Sequence, residues 1–229
     1  MEKYGEIPKR FTKAWWSYFW YYYKWHTLGT LLVIFVVAVT CTECAMRPKY
    51  DVTVTYAGDM IFLDPTVDKL RAELSEHIDD VDGNGKVMAD FQSFNIAKDG
   101  TNQAGTEYNG AMLTKVALEF QTGDTYVFLF NRQELDRLLN RSSQEQIFVP
   151  LSDWAEGDMS SFKTAKQNGV DYAVNITDSK FFSQKLGLTM GDSLYIAVRR
   201  MRPRDTDDER QKKMYEQSIK LANYILENN

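Results

Sequence analysis

The stretch "DTYVFLFNRQELDRLLNR", residues 124–141, decides the class of fold. Its first part is a nearly continuous apolar run, which is typical of a β-strand that is buried on both faces. Its second part has helical spacing, with Leu135, Leu138 and Leu139 on one face, and Asn131 followed by Glu134 predicts the N-terminal cap. A buried strand that leads directly into a helix is typical of an α/β domain.

The residues before this stretch also alternate between strand patterns and helix patterns. Strands are predicted at 50–58 and 86–97, and helices at 64–78 and 108–123, with a loop at 98–107. In the first of these helices, Asp64 is predicted as the N-cap and Pro65 as the first helical residue. The order β-α-β-α-β-α predicts a mainly parallel sheet with right-handed crossovers and helices on both faces.

After Arg141 the pattern is less regular. Residues 145–154 are predicted to be extended and residues 156–169 to be a loop or a weak helix. Strands are predicted at 170–176 and 192–200, with a short helical turn between them. Thr206 and Glu209 predict a capping box for a last helix. The inward stripe of that helix is predicted to be Met214, Leu221, Ala222 and Ile225.

Residues 27–46, "TLGTLLVIFVVAVTCTECAM", are predicted to cross a membrane. The stretch has twenty residues and one charge, Glu43. A helix of that length rises about 1.5 Å per residue and so matches the roughly 30 Å of a bilayer core. The alternative is a buried hydrophobic helix of a soluble protein.

Residues 11–25, "FTKAWWSYFWYYYKW", are dense in aromatic residues. Trp and Tyr favour the headgroup region of a bilayer, so residues 1–26 are predicted to be a cytoplasmic and interfacial segment that leads into the span. A helix here would carry an aromatic stripe, because helical spacing relates Phe11, Trp15, Tyr18, Phe19 and Tyr22.

Lys and Arg are unevenly distributed about the span. Five precede it, against two Glu, and Arg47 and Lys49 follow it. Because positive residues favour the cytoplasmic side, the N-terminus is predicted to be cytoplasmic and residues 47–229 to form an extracellular α/β domain. "TCTECA" lacks a small-x-small cleavage site, so the segment is predicted to be an uncleaved single-pass anchor.

Cys41 and Cys44 form a C-x-x-C pair at the end of this span. In a soluble thioredoxin-like fold this spacing would suggest redox chemistry. Here no strand precedes it, so two lipid-facing or interfacial thiols are predicted instead. These are the two cysteines of the chain, so no disulfide can hold the extracellular domain together. That domain therefore depends on its hydrophobic core for stability.

Residues 79–87, "DDVDGNGKV", fit the first half of an EF-hand calcium loop. Position 12 is Phe91, where that loop has a bidentate Glu, so the closing carboxylate would come from Asp90 or from elsewhere in the fold. A structural Ca²⁺ ion is one prediction, and a polar turn in which Asp side chains cap backbone amides is the alternative. The predicted calcium ligands are the side chains of Asp80, Asp82 and Asn84 and the backbone carbonyl of Lys86, and Gly85 stands at position 6, where the chain must turn sharply.

Residues 113–154, "LTKVALEFQTGDTYVFLFNRQELDRLLNRSSQEQIFVPLSDW", resemble type 2 extracellular solute-binding proteins of ABC importers. The order of elements extends this resemblance to residues 50–154. It implies an α/β lobe with ligand contacts at the C-terminal ends of strands, here at Gly58, Asp59, Asn131 and Arg132. Members of that family have two lobes and about twice this length, whereas only residues 150–200 could stand for a second lobe here.

Three functions remain open from the sequence. The first is an anchored extracellular module that binds or senses a small ligand, in association with a transporter or another membrane protein. The second is an assembly protein that uses the domain for protein contacts. The third is an extracellular hydrolase, which is disfavoured because neither histidine shares a motif with a Ser or a Cys. A net charge of −5 does not indicate binding to nucleic acid, which favours basic surfaces.

Overall fold

A computed structural model describes residues 8–46, 48–97, 103–141, 147–188 and 193–229. These residues belong to two compact units, Met1–Lys49 and Tyr50–Asn229. The predicted loop at 98–107 lies partly outside the described residues, and its described part, from residue 103 on, is helical.

The first unit contains one continuous helix, α1 (Lys13–Met46), of 34 residues. The aromatic and apolar segments share this helix, so no break separates residue 26 from residue 27. Its apolar side chains face outward, and Leu32 and Phe35 are 63% and 65% exposed. α1 is long and apolar enough to cross a membrane, as predicted.

Aromatic rings contact one another along the first turns of α1. The ring centroids of Trp15 and Phe19 lie 5.4 Å apart and those of Tyr18 and Tyr22 lie 4.9 Å apart. Phe11, just before the helix, lies 5.5 Å from Trp15. The predicted aromatic stripe is therefore confirmed. Further along α1, Cys41 is exposed and forms no disulfide.

The second unit is an α/β domain. Its strands are β1 (Val52–Gly58), β2 (Ala89–Asn95), β3 (Val127–Asn131), β4 (Thr164–Gln167), β5 (Val170–Asn175) and β6 (Leu194–Val198). Its α-helices are α2 (Asp64–Ser75), α3 (Gln103–Thr122), α4 (Arg132–Arg141) and α5 (Glu209–Glu227). Within the described ranges, the six strands form one sheet in the order β2-β1-β3-β6-β5-β4.

The sheet is mixed, so the prediction of a mainly parallel sheet is wrong in that detail. β1 is parallel to β2 and β3, whereas β6 is antiparallel to β3 and β5, and β4 is antiparallel to β5. For β4 and β5 the cause is the short connection between them. Helices join the first three strands, but only Asn168 and Gly169 join β4 to β5. Both have positive φ, 52° and 83°, and a two-residue turn of this kind can join only antiparallel strands.

Helices cover both faces of the sheet, as predicted. On one face, Val54 and Tyr56 of β1 belong to a core that includes Leu74 of α2 and Leu221 of α5. On the other face, side chains of β3 pack with α3 and α4. That second core includes Phe128, Phe130, Val116, Leu135 and Leu139. β3 is therefore buried on both faces because successive side chains point to opposite sides.

Two predicted helix caps are wrong and one is confirmed. Leu63, whose carbonyl accepts from Thr66 and Val67, is the N-cap of α2, and Asp64 is already helical. Asp208 caps α5 by accepting from two backbone amides, since a 3₁₀ turn holds Thr206 outside the helix. In α4, Asn131 Oδ1 does accept from the backbone N of Glu134, at 2.9 Å.

Candidate functional site

The acidic loop between α2 and β2 is folded around its own aspartates. Asp80 Oδ1 accepts from the backbone N of Gly83 at 2.8 Å, and Asp80 Oδ2 accepts from that of Gly85 at 2.7 Å. Both glycines have positive φ, 73° and 78°. The N–H of Gly85 is the main cause that lowers the pKa of Asp80 below its ordinary value, so this carboxylate is ionised at neutral pH.

Two further side chains cap amides in this loop. Asp82 Oδ1 accepts from the backbone N of Asn84 at 3.1 Å, and Asn84 Oδ1 accepts from that of Lys86 at 2.8 Å. The capping interactions expected of a polar turn are therefore present. They leave room for a metal, because a carboxylate oxygen has more than one acceptor direction.

A third carboxylate comes from outside the loop. Asp51, just before β1, is 1% exposed, and its oxygens accept from the backbone N of Val81 and of Met88 at 2.9 and 2.8 Å. One carboxylate oxygen from each of Asp51, Asp80 and Asp82 lies within 4.8 Å of the others. Calcium–oxygen bonds of about 2.4 Å give a coordination sphere about 4.8 Å across. These three side chains could therefore hold a cation.

Asp90, predicted as the closing ligand, has different partners. It is 5% exposed on β2, and Arg71 of α2 binds its Oδ1 through Nε at 2.9 Å and Nη2 at 2.8 Å. Gln92 donates to its Oδ2 at 3.3 Å. Asp51 thus supplies the third carboxylate of the cluster. Sequence spacing did not indicate Asp51, because it lies 29 residues before Asp80; the only signal is a charged residue at the start of a buried strand.

The predicted ligand residues of the sheet edge lie together. β1 and β3 are parallel neighbours, so their C-terminal ends meet at one edge. There, Asn131 Nδ2 donates to Asp59 Oδ1 at 2.9 Å. Arg132 contacts Asp136 through Nε at 2.8 Å and Tyr195 through Nη1 at 3.2 Å.

Gly58 ends β1 in a confined position. A Cβ atom at this residue would overlap the hydroxyl of Tyr56 and would lie 2.7 Å from its Cζ and 3.1 Å from Cγ of Asn131. Tyr56 cannot easily move, because it is 1% exposed and its hydroxyl accepts from the backbone N of Met60 at 3.1 Å.

Gly58→Ala is therefore expected to lower the free energy of unfolding by about 1–3 kcal/mol, since the methyl group overpacks this edge. Urea unfolding of the purified chain measures it. Gly110→Ala is the matched control, because Gly110 lies within α3 with nothing within 4 Å of its Cβ direction. That change is expected to stabilise by up to about 1 kcal/mol. Equal effects at the two sites would contradict the packing described here.

A cavity of about 70 Å³ lies behind this edge, between β1, α3 and α4. It is mainly apolar, and Glu134 and Arg137 add an ion pair of 2.9 Å. Its apolar lining comprises Ala57, Ile96, Leu113, Val116, Ala117 and Leu138. Two more open clefts lie elsewhere, one of about 480 Å³ beside α5 and one of about 740 Å³ beside the β4–β5 hairpin.

Comparison with protein-family models, with curated proteins and with solved structures finds no match to this chain. The resemblance to solute-binding proteins therefore remains a prediction from residues 113–154.

Proposed function

We propose that this chain is a single-pass membrane protein whose α/β domain is an extracellular binding module. The observation that carries the proposal is α1, an outward-facing apolar helix joined to a separate compact domain. Water does not tolerate a continuous apolar surface of this length, whereas a bilayer does. The distribution of Lys and Arg about the helix supports a cytoplasmic N-terminus.

The proposed site for a small solute is the sheet edge where β1 and β3 end. Open α/β sheets bind ligands at the carboxyl ends of their parallel strands. Asp59 and Asn131 supply polar groups at this edge, and the 70 Å³ cavity lies beside them, since Ala57 and Glu134 are among the residues that line it.

One observation favours a second candidate function, protein contact. The loop after Asp59 exposes Ile61 and Leu63, at 73% and 68%. Phe62 between them packs against Tyr56 and Phe91, with centroid distances of 5.1 and 4.9 Å. A loop that is held by the half-buried ring of Phe62 and presents two apolar side chains is suited to a partner protein, such as a transporter.

A thermal-shift screen of small solutes on the full chain in nanodiscs tests the first candidate. A stabilising solute whose effect is lost in Asp59→Ala and retained in Asp207→Ala, an exposed control, supports the solute site. If no solute acts, and Ile61→Asp abolishes capture of a membrane protein, the second candidate is supported. If Asp59→Ala and Ile61→Asp change neither property, this edge is not the binding site.

We further propose that Asp51, Asp80 and Asp82 hold a structural Ca²⁺ ion. The support is the size of the cluster, 4.8 Å, together with two loop glycines in the left-handed conformation. Calcium outside cells is commonly near millimolar, so an affinity of the extracellular kind, about 10⁻⁴–10⁻³ M, would suffice to fill the site substantially. An ion here would join the end of α2 to the starts of β1 and β2.

Millimolar Ca²⁺ is expected to raise the melting temperature of the domain by roughly 1–5 °C over chelator, since ligation at that affinity adds about 0.4–1.4 kcal/mol. Asp82→Ala should abolish the shift. Asp158→Ala should retain it, because Asp158 caps an amide in a different loop. Identical melting curves with calcium and with chelator would contradict the site.

A further inference from the structure

α1 is longer than a bilayer core is thick. Its 34 residues extend over about 51 Å. A bilayer core is about 30 Å thick, or about 40–45 Å with both headgroup layers. Residues 27–46 alone would fill the core of the bilayer. The preceding turns of the helix, residues 13–26, therefore lie outside the bilayer core.

These turns have an aromatic face much wider than their polar face. Lys13, Ser17 and Lys24 are spaced i, i+4 and i+11, and at about 100° per residue they fall within about 40° of one another. We name them the polar stripe. Trp20 borders it. The rest of the circumference, the aromatic arc, carries rings that include Trp15, Trp16, Tyr18, Tyr22 and Trp25.

An upright helix would leave much of the arc in water. Residues 15–25 extend over about 16 Å, whereas one headgroup layer is only about 5–8 Å thick. Trp16 and Trp25 are 55% and 74% exposed on the free helix, and exposed apolar area costs about 25 cal/mol per Å². A tilt of about 30° reduces the vertical extent of α1 from about 51 Å to about 44 Å and turns one side of residues 13–26 toward the bilayer.

We propose that residues 13–26 are a lipid-binding surface on which α1 is tilted in the membrane. The aromatic arc faces the headgroups and the upper acyl chains, and the polar stripe faces water. This proposal rests on the proposed membrane anchor. The bilayer is the occupant that the residues favour, because Trp and Tyr are enriched at membrane–water interfaces.

The cations of the polar stripe are consistent with this arrangement. Lys24 lies within the aromatic segment, and its Nζ is 5.8 Å from the centroid of the Trp25 ring. A lysine at this depth can extend its chain along apolar surface and keep its ammonium group at the lipid phosphates. If the tilt were in the opposite direction, the ammonium groups of Lys13 and Lys24 would point into the acyl chains, which is costly.

Nitroxide accessibility on the full chain in phosphatidylcholine–phosphatidylglycerol vesicles tests the proposal. The background carries Cys41→Ser and Cys44→Ser, so that a single introduced cysteine bears the label. Lys13→Cys, Ser17→Cys and Lys24→Cys report on the polar stripe. Trp15→Cys, Tyr18→Cys and Tyr22→Cys report on the aromatic arc. Leu31→Cys and Phe35→Cys report on the span itself.

Labels on the stripe are expected to be several-fold more accessible to a water-soluble nickel chelate than labels on the arc, with a helical period. Equal accessibility at Trp15→Cys and Lys13→Cys would overturn the lipid-binding surface. Spin–spin broadening on the arc that persists when the protein is diluted in lipid would also overturn it, because a second copy would then cover the rings. Chelate access at Leu31→Cys and Phe35→Cys would instead contradict the membrane anchor.

Discussion

Replacement of Arg199 by Met is expected to lower the free energy of unfolding by about 3–5 kcal/mol. Arg199 is 2% exposed at the end of β6. Its guanidinium donates to the carbonyls of Glu119, Phe120 and Gly123, at 3.3, 2.9 and 3.2 Å. Two of these carbonyls, those of Phe120 and Gly123, would therefore lose this donor, whereas that of Glu119 would keep the backbone N–H of Gly123 at 3.0 Å. The positive charge that favours a helix C-terminus would be lost too.

The ring of Tyr126 adds to this environment. The Cζ atom of Arg199 lies 4.8 Å from its centroid, and burial lowers the pKa of Arg199 below its ordinary value. Burial also raises the pKa of Tyr126 to about 12, so this hydroxyl is neutral at physiological pH and donates to Gln211 Oε1 at 2.8 Å. Met matches the length of the arginine stem but can make none of these polar contacts.

Urea unfolding of the full chain measures the effect, and Arg204→Met is the matched control. Arg204 is 59% exposed and donates to the carbonyl of Gln121 at 3.0 Å, but Arg202 donates to the same oxygen at 3.0 Å. Arg204→Met is therefore expected to change stability by no more than about 0.5 kcal/mol. A loss below about 1 kcal/mol in Arg199→Met would show that water replaces the guanidinium.

Asp51→Ala is expected to destabilise the domain by about 2–4 kcal/mol even in chelator. The carboxylate joins both ends of the acidic loop, because it accepts from the amides of Val81 and Met88. Val81 is itself 5% exposed. Alanine would leave these two N–H groups without their acceptor. A buried donor without a partner costs about 1–3 kcal/mol, and the amide of the half-buried Met88 costs less.

Asp82→Ala provides the comparison for Asp51→Ala. Asp82 accepts from the amide of Asn84 in an exposed turn, where water can replace it, so the expected cost in chelator is below about 1 kcal/mol. Thermal melting in chelator measures the contribution of Asp51 to the backbone amides without any contribution of calcium. Similar losses in the two variants would contradict the role assigned to Asp51.

The sequence predicts the first half of the domain well because its signals are local. The apolar run of β3, the cap at Asn131 and the leucines of α4 lie within one short stretch, and all three are as expected. In the second half, β4 lies in a segment predicted to be a loop or a weak helix. Asn168 and Gly169 carried the missed signal, since Asn-Gly between short extended segments is typical of a two-residue hairpin.

The remaining differences depend on contacts between residues far apart in the chain. Asp51 meets the acidic loop only because β1 and β2 pair in register. Arg199 reaches the end of α3 only because β6 lies antiparallel to β3. Neither contact leaves a periodic pattern in the sequence. The juxtaposition of Asp59 and Asn131 could be predicted, because parallel neighbouring strands end at the same edge.

Protease accessibility on intact cells tests whether α1 anchors an extracellular α/β domain. The full chain carries one epitope at each terminus. We expect protease to remove the chain beyond Lys49, including the C-terminal epitope, while α1 stays in the membrane and the N-terminal epitope stays protected on its cytoplasmic side. Protection of both epitopes, or loss of the N-terminal epitope from intact cells, would contradict it.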